Sequence, residues 1–390
     1  MRKRGRKSMA NYDYEIVNGR KIRVRPKETV SEIDKNGYFR RQPNHFTTPF
    51  GDGENDLKAE GNKRYRLVWA KLCHWSNRAA IVRELEGLED QISVNMVEHA
   101  PHEKNLGWEY VYNENNIDPV LGDQFLSEAY YRADDDYQGR TTVPALIDTT
   151  TGKVVNNDYN WLTTYFEVNF RPWHKKGAPE LYPVELREEI DKMNLWLFDN
   201  INNAVYRSSF SRSNEGHFDG VNTFYAAMDR LEKRLETNRF LFGDYVTDSD
   251  IRLYVTLARL DIRYTTQLGE TKRPLYTYKN LWGYAKELWE IPAFAHHTDF
   301  AAIIRQGRIE GEEDGFRAST HYDLALPKID WDAQWKVSTE RAYLSSDPTH
   351  PIYLGNNRRF DIDPTWYDLG AESPKKEEKE TPPSCGCCCG

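Results

Sequence analysis

One cysteine stands apart from the rest of the chain. Cys73 lies within "RYRLVWAKLCHWSNRAAIVRELEGLED" (64–90), and the other four cysteines of the 390 residues fall in the last six positions. The segment 65–72 has the apolar, β-branched and aromatic character of a strand. Apolar residues then recur at helical spacing up to Gly87. Cys73 is therefore predicted at the start of a helix, where backbone N–H groups and the helix dipole stabilise a thiolate nucleophile.

The motif Cys73-His74-Trp75-Ser76 contains no second, resolving cysteine. A single cysteine cannot close its own disulfide, so it must form a mixed disulfide with a small thiol and be released by a second thiol molecule. This is the chemistry of glutathione-dependent reduction. A buried, inert cysteine is the alternative interpretation of Cys73.

The elements around Cys73 follow the order βαβ and then αββα. Strands are predicted at 65–72, 92–98, 141–148 and 153–155, with helices at 75–88, at 123–134 and from Asn156 onward. Val143-Pro144 enters the third of these strands, and a cis peptide is essentially confined to X-Pro bonds. This pattern predicts a thioredoxin-like domain in which Val143-Pro144 is the cis-proline turn.

The pattern changes to all-helical after Tyr182. Four amphipathic helices are predicted, at 183–210, 218–236, 247–267 and 280–291. Thr247 and Asp250 have the spacing of a capping box, which fixes the start of the third helix. We therefore predict five regions: an N-terminal arm (1–60), the thioredoxin-like domain (61–170), an all-α domain (171–307), an irregular extension (308–370) and a disordered cysteine-rich tail (371–390).

Composition excludes several classes of function. The net charge of −8 argues against a nucleic-acid-binding protein, and no apolar run is long enough to cross a membrane. The basic opening "MRKRGRK" is followed by no apolar run, so it is not a secretory signal. A single cysteine in the folded body fits a reducing compartment, and we expect a cytoplasmic protein.

Several long segments resemble the xi-class glutathione transferases, the glutathionyl-hydroquinone reductases. The resemblance covers roughly residues 60–305. It includes the segment around Cys73, "GWEY", "ADDDYQGRTTVPALID", "TGKVVNN", "LYPVELREEIDKMNLWLFDNINNAVYRSSF", "AMDRLEKRLETNRFLFGDYVTDSDIRLYVTLARLD" and "YKNLWGYAKELWEIP". It implies a thioredoxin-like domain followed by a helical domain, and usually a homodimer.

The resemblance also implies a reaction and a set of site residues. The cysteine, here Cys73, removes glutathione from a glutathionylated hydroquinone, and a second glutathione then releases oxidised glutathione. Glutathione is thus a co-substrate, and no bound organic cofactor is expected. By position, the glutathione contacts are Trp108, Arg140, Val143 (through its backbone), Asp158 and Tyr159, and Tyr206 lies near the electrophile.

Departures from the family pattern leave other functions open. Proline and alanine of the family motif are replaced by His74 and Ser76. We expect His74 to be structural or solvent-facing, with a role in tuning the thiolate as the alternative. The family's Asn-Asn-Glu-Ser reads "NNDY" (156–159), with the Tyr159 amide at a helix start as a remaining carboxylate ligand. A tyrosine-rich segment is replaced by "IRQGRIEGEE". A related enzyme using another small thiol, or a non-catalytic binding module, is therefore an alternative.

The tail "CGCCCG" supports a further alternative. Its thiols, Cys385, Cys387, Cys388 and Cys389, could bind a soft metal such as Zn²⁺ or Cu(I), which would make the protein a metal carrier. They could also deliver a resolving thiol to Cys73, be acylated, or have no fixed structure.

Overall fold

A computed structural model describes residues 12–25, 31–100, 106–269, 273–304 and 330–345. The N-terminal arm contains an antiparallel hairpin, β1 (Tyr14–Val17) and β2 (Arg20–Arg23). Phe39 and Phe50 of the arm are buried. The arm predicted at 1–60 therefore contains paired strands and contributes aromatic side chains to the interior.

Six further strands follow the hairpin: β3 (Tyr65–Trp69), β4 (Ile92–Met96), β5 (Glu98–His99), β6 (Trp108–Glu109), β7 (Ala145–Asp148) and β8 (Lys153–Asn156). Four of them form the central sheet, in the order β4-β3-β7-β8. β3 pairs in parallel with β4 and antiparallel with β7, which in turn pairs antiparallel with β8. A separate two-stranded pair, β5 and β6, lies between the two halves of this sheet in sequence.

Three helices accompany the sheet. They are α1 (His74–Leu85), α2 (Leu126–Ala133) and α3 (Leu162–Val168). Gly87 lies two residues after the end of α1 and has a φ of +72°. This left-handed backbone conformation favours glycine and terminates the helix. The Val143-Pro144 peptide is cis, as predicted, and it brings the start of β7 next to the start of α1.

The second half of the described chain is helical. Its helices are α4 (Arg187–Leu197), α5 (Ala204–Phe210), α6 (Asn214–Arg234), α7 (Asp248–Arg259), α8 (Thr265–Gln267), α9 (Lys279–Trp289) and α10 (Pro292–His296), and a short helix spans Trp331–Trp335. The long helix predicted over 183–210 is divided, because a π-helical turn at Phe198–Asn202 separates α4 from α5. A second π-helical turn, Leu260–Tyr264, follows α7. None of the described helices is long and apolar enough to cross a bilayer.

One hydrophobic core connects the sheet to the helices. It joins α1 residues such as Ile81 and Val82 with α7 residues such as Leu253 and Leu257. Arg259, at the end of α7, donates hydrogen bonds to the carbonyl oxygens of Lys71 (2.9 Å) and Leu72 (2.8 Å). The sheet and the helical half are therefore in contact at the strand–helix junction that carries Cys73.

Candidate active site

Cys73 occupies the N-cap position of α1, as predicted. Its amide donates a hydrogen bond to the Ala70 carbonyl (3.0 Å), and its own side chain makes no capping hydrogen bond. Cys73 is only 8% exposed, and its Sγ lies 3.7 Å from the carbonyl oxygen of Val143. Ser76 Oγ lies 3.1 Å from the Ala70 amide and 3.2 Å from its carbonyl. Ser76 thus fixes the strand–helix junction that positions the sulfur.

Two buried arginines place positive charge near this sulfur. Arg78 and Arg259 both interact electrostatically with Cys73. Burial lowers the pKa of Arg78 to about 9, and it also lowers the pKa of Arg259. Both groups remain cationic near neutral pH. The two guanidiniums therefore form part of the charge environment of the Cys73 sulfur.

His74 is buried rather than solvent-facing, so that part of the expectation is wrong. Its Nδ1 lies 3.2 Å from Thr256 Oγ1 and 3.1 Å from the Tyr264 hydroxyl, both on the helical side. Burial, followed by nearby arginines, holds the pKa of His74 well below its usual range. The imidazole is therefore neutral and joins α1 to the helical half.

A cleft of about 400 Å³ opens beside Cys73. Six of the seven residues predicted for the site line it: Cys73, Trp108, Arg140, Val143, Tyr159 and Tyr206. Asp158 does not line the cleft. Its carboxylate instead accepts hydrogen bonds from Asn44 Nδ2 (2.8 Å) and from the Asn160 amide (3.0 Å), and Asn44 stands at the cleft wall in its place.

One end of the cleft carries Trp108 and Arg140. The Trp108 indole donates to the Thr141 carbonyl (3.1 Å) and stacks on His99 with ring centroids 3.8 Å apart. Arg140 makes two hydrogen bonds to the Glu32 carboxylate, at 2.8 and 2.9 Å. The guanidinium predicted to contact glutathione is thus engaged by a carboxylate of the arm.

Tyr159 contributes its ring but not its amide to the cleft. α3 begins at Leu162, six residues later than predicted, and the Tyr159 N–H donates to the Asn157 carbonyl at 3.1 Å. The interpretation of this amide as a carboxylate ligand at a helix start is therefore wrong for this conformation. The Tyr159 ring packs on Trp75 at 4.7 Å, and burial raises the pKa of its hydroxyl, which keeps the phenol neutral.

Tyr206 stands at the other end of the cleft within an aromatic wall. Its ring centroid lies 5.7 Å from that of Trp75 and 5.6 Å from that of Phe210. Arg41 lies over both the Tyr206 ring (4.4 Å) and the Trp75 ring (4.5 Å). This end of the cleft therefore combines flat apolar surfaces with a guanidinium.

Comparison with known proteins identifies the family. A family model described as "Glutathione S-transferase, C-terminal domain" matches residues 205–287. The glutathione S-transferase omega-like 2 of Schizosaccharomyces pombe is 34% identical over 279 residues, which cover 69% of this chain and 88% of that protein. The crystal structure of glutathione transferase Xi 1 from Trametes versicolor superposes with a TM-score of 0.64 at 31% identity, covering 71% of this chain and 96% of that one. The chain belongs to the xi class of glutathione transferases.

A second relative carries an enzymatic name. The glutathionyl-hydroquinone reductase YqjG of Escherichia coli is 33% identical over 240 residues, covering 62% of this chain and 73% of that protein. The predicted fold class, a thioredoxin-like domain followed by a helical transferase domain, is confirmed by these xi-class relatives and by the mixed sheet and helices of the structure.

Sequence reasoning missed the part of the arm that lines the cleft in this xi-class chain. Glu32, Arg41, Gln42 and Asn44 all line it. The phenylalanines spaced through this polar segment could have indicated that it packs against the protein. An arm that is fully solvated has no need of apolar side chains. Arg212 and Arg263, from segments next to α5 and α7, also line the cleft and gave no local signal.

Metal binding finds no support in the described part of this xi-class chain. There, no group of three or more histidine, cysteine or acidic side chains could hold a metal ion. The four tail cysteines lie outside the described residues, as do the regions 1–11 and 305–329, so the predictions made for them stay predictions.

Proposed function

We propose that this protein removes glutathione from glutathionylated hydroquinones, with glutathione as the reductant. The observation that carries the proposal is the place of the Cys73 sulfur. It stands at a helix N-terminus, beside the cis-Val143-Pro144 turn, and it opens onto a cleft with an aromatic wall. The name of the E. coli relative supports the same substrate class.

The proposed reaction takes place in two steps. The Cys73 thiolate attacks the sulfur of the conjugate, an S–S bond forms, and the sulfur–ring bond breaks while the ring carbon takes up a proton. A second glutathione, as its thiolate, then attacks the mixed disulfide, releasing oxidised glutathione and the Cys73 thiolate. The aryl–sulfur bond is reduced, and two thiol-level sulfurs are oxidised to one disulfide.

The remaining residues take binding roles in this proposal. The Val143 backbone, which faces Sγ, pairs with the cysteinyl part of glutathione. Trp108 and Arg140 line the glutathione end, and Arg140 contacts the ligand while the Glu32 carboxylate competes for it. Asn44 takes the place at the cleft that Asp158 leaves, and Tyr206 packs against the hydroquinone ring. Asp158 keeps a supporting role by holding Asn44.

Replacing Cys73 by serine tests the proposal. The glutathionyl conjugate of 1,4-hydroquinone is incubated with glutathione, and free hydroquinone is quantified by chromatography. Cys73→Ser should abolish turnover and leave the melting temperature near the wild-type value, because one buried atom changes and nothing else. As a control, replacing all four tail cysteines by serine should leave turnover unchanged. Preserved turnover in Cys73→Ser would disprove the nucleophile, and loss in the tail variant would indicate a resolving role for the tail.

A second candidate is a related enzyme using a different thiol, or a module that binds without catalysis. Three groups assigned to glutathione are already engaged within the protein: the Arg140 guanidinium, the Asp158 carboxylate and the Tyr159 amide. Intact-protein mass spectrometry of the tail-cysteine variant after exposure to the disulfides of glutathione, bacillithiol, coenzyme A and cysteine separates the candidates. An adduct on Cys73 with glutathione supports the first proposal, an adduct with another thiol supports the related enzyme, and none supports the binding module.

Assembly and location belong to the same proposal. We propose a homodimer, as the resemblance to the xi class implies, and sedimentation equilibrium measures it directly. The chemistry requires a supply of reduced glutathione, which the cytoplasm maintains, and we propose that location.

A further inference from the structure

The cleft carries a strong positive charge although the chain is acidic. Among the described residues that line it, one is acidic, Glu32, and five are arginines: Arg25, Arg41, Arg140, Arg212 and Arg263. The whole chain has a net charge of −8. Cationic residues concentrated in a cleft of an acidic protein indicate that the ligand is anionic, since such a cleft focuses the field on what enters it.

The only lining carboxylate among the described residues accepts its arginine hydrogen bonds from Arg140 alone. Glu32 holds Arg140 through two hydrogen bonds, and it also interacts electrostatically with Arg25 and, less strongly than with Arg140, with Arg41. Arg140 lies at the end that contains Trp108, which we assign to glutathione. The carboxylates of glutathione can share the guanidiniums of Arg25 and Arg140 there, and neither guanidinium belongs to the wall formed by Trp75 and Tyr206.

Arg41 lies at the opposite end of the cleft. The geometry of this end suits an aromatic ring that carries a carboxylate. The Arg41 guanidinium lies over Trp75 and Tyr206, and its Nε donates to Asn203 Oδ1 at 3.0 Å. Its Nη2 is buried and has no hydrogen-bond partner among the described residues. A buried donor without an acceptor is costly, so a ligand that places an acceptor atom here gains a hydrogen bond.

Two further arginines line the same cleft. Arg212 follows α5, and its amide donates to the Gly37 carbonyl at 2.6 Å, which ties this segment to the arm that carries Arg41. Arg263 lies in the π-helical turn after α7, next to Tyr264. A guanidinium binds a carboxylate in a planar, paired geometry, and an aromatic wall binds the ring to which that carboxylate is attached.

We propose that the electrophile end of the cleft selects hydroquinones whose ring carries a carboxylate, with Arg41 as the group that recognises it. The substrate class is thus the glutathione conjugates of dihydroxybenzoic acids. This inference rests on the proposed reductase function for its catalytic consequence. Its recognition step concerns the ring alone and can be measured without turnover.

The binding experiment uses the two ring products as probes. Dissociation constants for 2,5-dihydroxybenzoate and for the neutral, similarly shaped 2,5-dihydroxybenzamide are measured by isothermal titration calorimetry with the full chain. A hydrogen-bonded ion pair predicts that the carboxylate binds at least about tenfold more tightly than the amide. Equal affinities, or no binding of the carboxylate, would overturn the inference whatever the outcome for turnover.

The variants assign the preference to a residue. Arg41→Gln should reduce the ratio of carboxylate to amide affinity by about tenfold, and Arg41→Lys should restore part of it. The matched control is Arg40→Gln, which removes the same charge from the adjacent residue. Arg40 is exposed, pairs with Asp34 at 2.9 Å and does not line the cleft, so its variant should keep the wild-type ratio. An equal fall in both variants would mean that the general field, and not Arg41, makes the selection.

The catalytic consequence is measured with the two glutathione conjugates. The value of kcat/KM should be at least about tenfold higher for the conjugate of the acid than for that of the amide. Turnover of both at equal rates would leave the reductase function in place and overturn the selectivity. Turnover of neither, together with preferred binding of the carboxylate, would reject the reductase function and leave the recognition site.

Discussion

His74 shows how a residue beside a nucleophile can be chemically silent. It directly follows Cys73, but the residue is only 1% exposed and its Nδ1 contacts Thr256 and Tyr264. Its ring packs against Trp75 and Tyr206, and it does not itself line the cleft. Because burial holds the pKa of His74 well below its usual range, the folded protein leaves it unprotonated near neutral pH. Its contribution is to connect α1 with the helical half, and a direct role in proton transfer to Cys73 has no geometric support.

The neutral state of His74 makes stability depend on pH. The unfolded chain binds a proton at this imidazole below about pH 6.5, and the folded protein does not. Acid therefore favours the unfolded state, and the free energy of unfolding should fall as the pH decreases from 7 to 5. His74→Gln should reduce that slope by up to about 1.4 kcal/mol per pH unit, measured by urea unfolding.

A second histidine provides a comparison for this slope. Burial also lowers the pKa of His297, to about 4, so its contribution has the same sign. His297→Gln should reduce the slope similarly, and the double variant should reduce it by about the sum. A His74→Gln slope equal to that of the wild type would show that the imidazole titrates in the folded protein.

At the scale of elements, the start of α7 depends on one carboxylate. Asp250 Oδ2 accepts from the Thr247 amide (2.8 Å) and hydroxyl (2.9 Å), which confirms the capping box. Its Oδ1 accepts from the Leu241 amide (2.9 Å) and from the Tyr284 hydroxyl (2.8 Å). Asp250 therefore also joins α7 to the preceding loop and to α9.

Removing this carboxylate should be costly. Asp250→Ala leaves several buried donors without acceptors in addition to losing a cap, so the free energy of unfolding should fall by at least about 2 kcal/mol. The control is Asp330→Ala. Asp330 caps the short helix Trp331–Trp335 from an exposed position, and its removal should cost about 1 kcal/mol or less. Equal losses in chemical denaturation would mean that Asp250 acts only as a cap.

At the scale of the whole molecule, the two halves share one interior. The core cluster runs from Phe50 of the arm through α1 and α7 to Trp335. Arg259 adds hydrogen bonds from α7 to two carbonyls at the strand–helix junction, and its NH groups also approach Asn77 Oδ1 at 3.3 Å. The active-site cysteine is thus positioned by both halves, and neither half can unfold without exposing the core of the other.

This shared interior predicts that the two halves unfold together. Far-UV circular dichroism, which reports mainly the helical half, and tryptophan fluorescence should give coincident thermal transitions. Arg259→Met keeps most of the side-chain volume but removes the donor to the buried Leu72 carbonyl and to the partly buried Lys71 carbonyl. It should lower the midpoint of both signals together. Two separate transitions in the wild-type chain would contradict the shared core.

The local pattern of the chain determined the elements that carry the nucleophile. The strand before Cys73, the helix after it and the X-Pro bond at Val143-Pro144 follow from alternation, helical spacing and proline chemistry, which act between near neighbours in sequence. The capping box at Thr247 and Asp250 is equally local. These features are readable because each depends on a few adjacent residues.

The tertiary structure alone decided what surrounds the sulfur. Glu32 engages Arg140 across 108 positions, Asn44 and Asp158 pair across 114, and Arg259 reaches Leu72 across 187. Burial of His74 and the gathering of Arg41, Arg212 and Arg263 at one cleft likewise depend on how distant segments pack. Charge and hydrogen-bond partners at a site are sums over neighbours in space, and the order of residues along the chain does not record those neighbours.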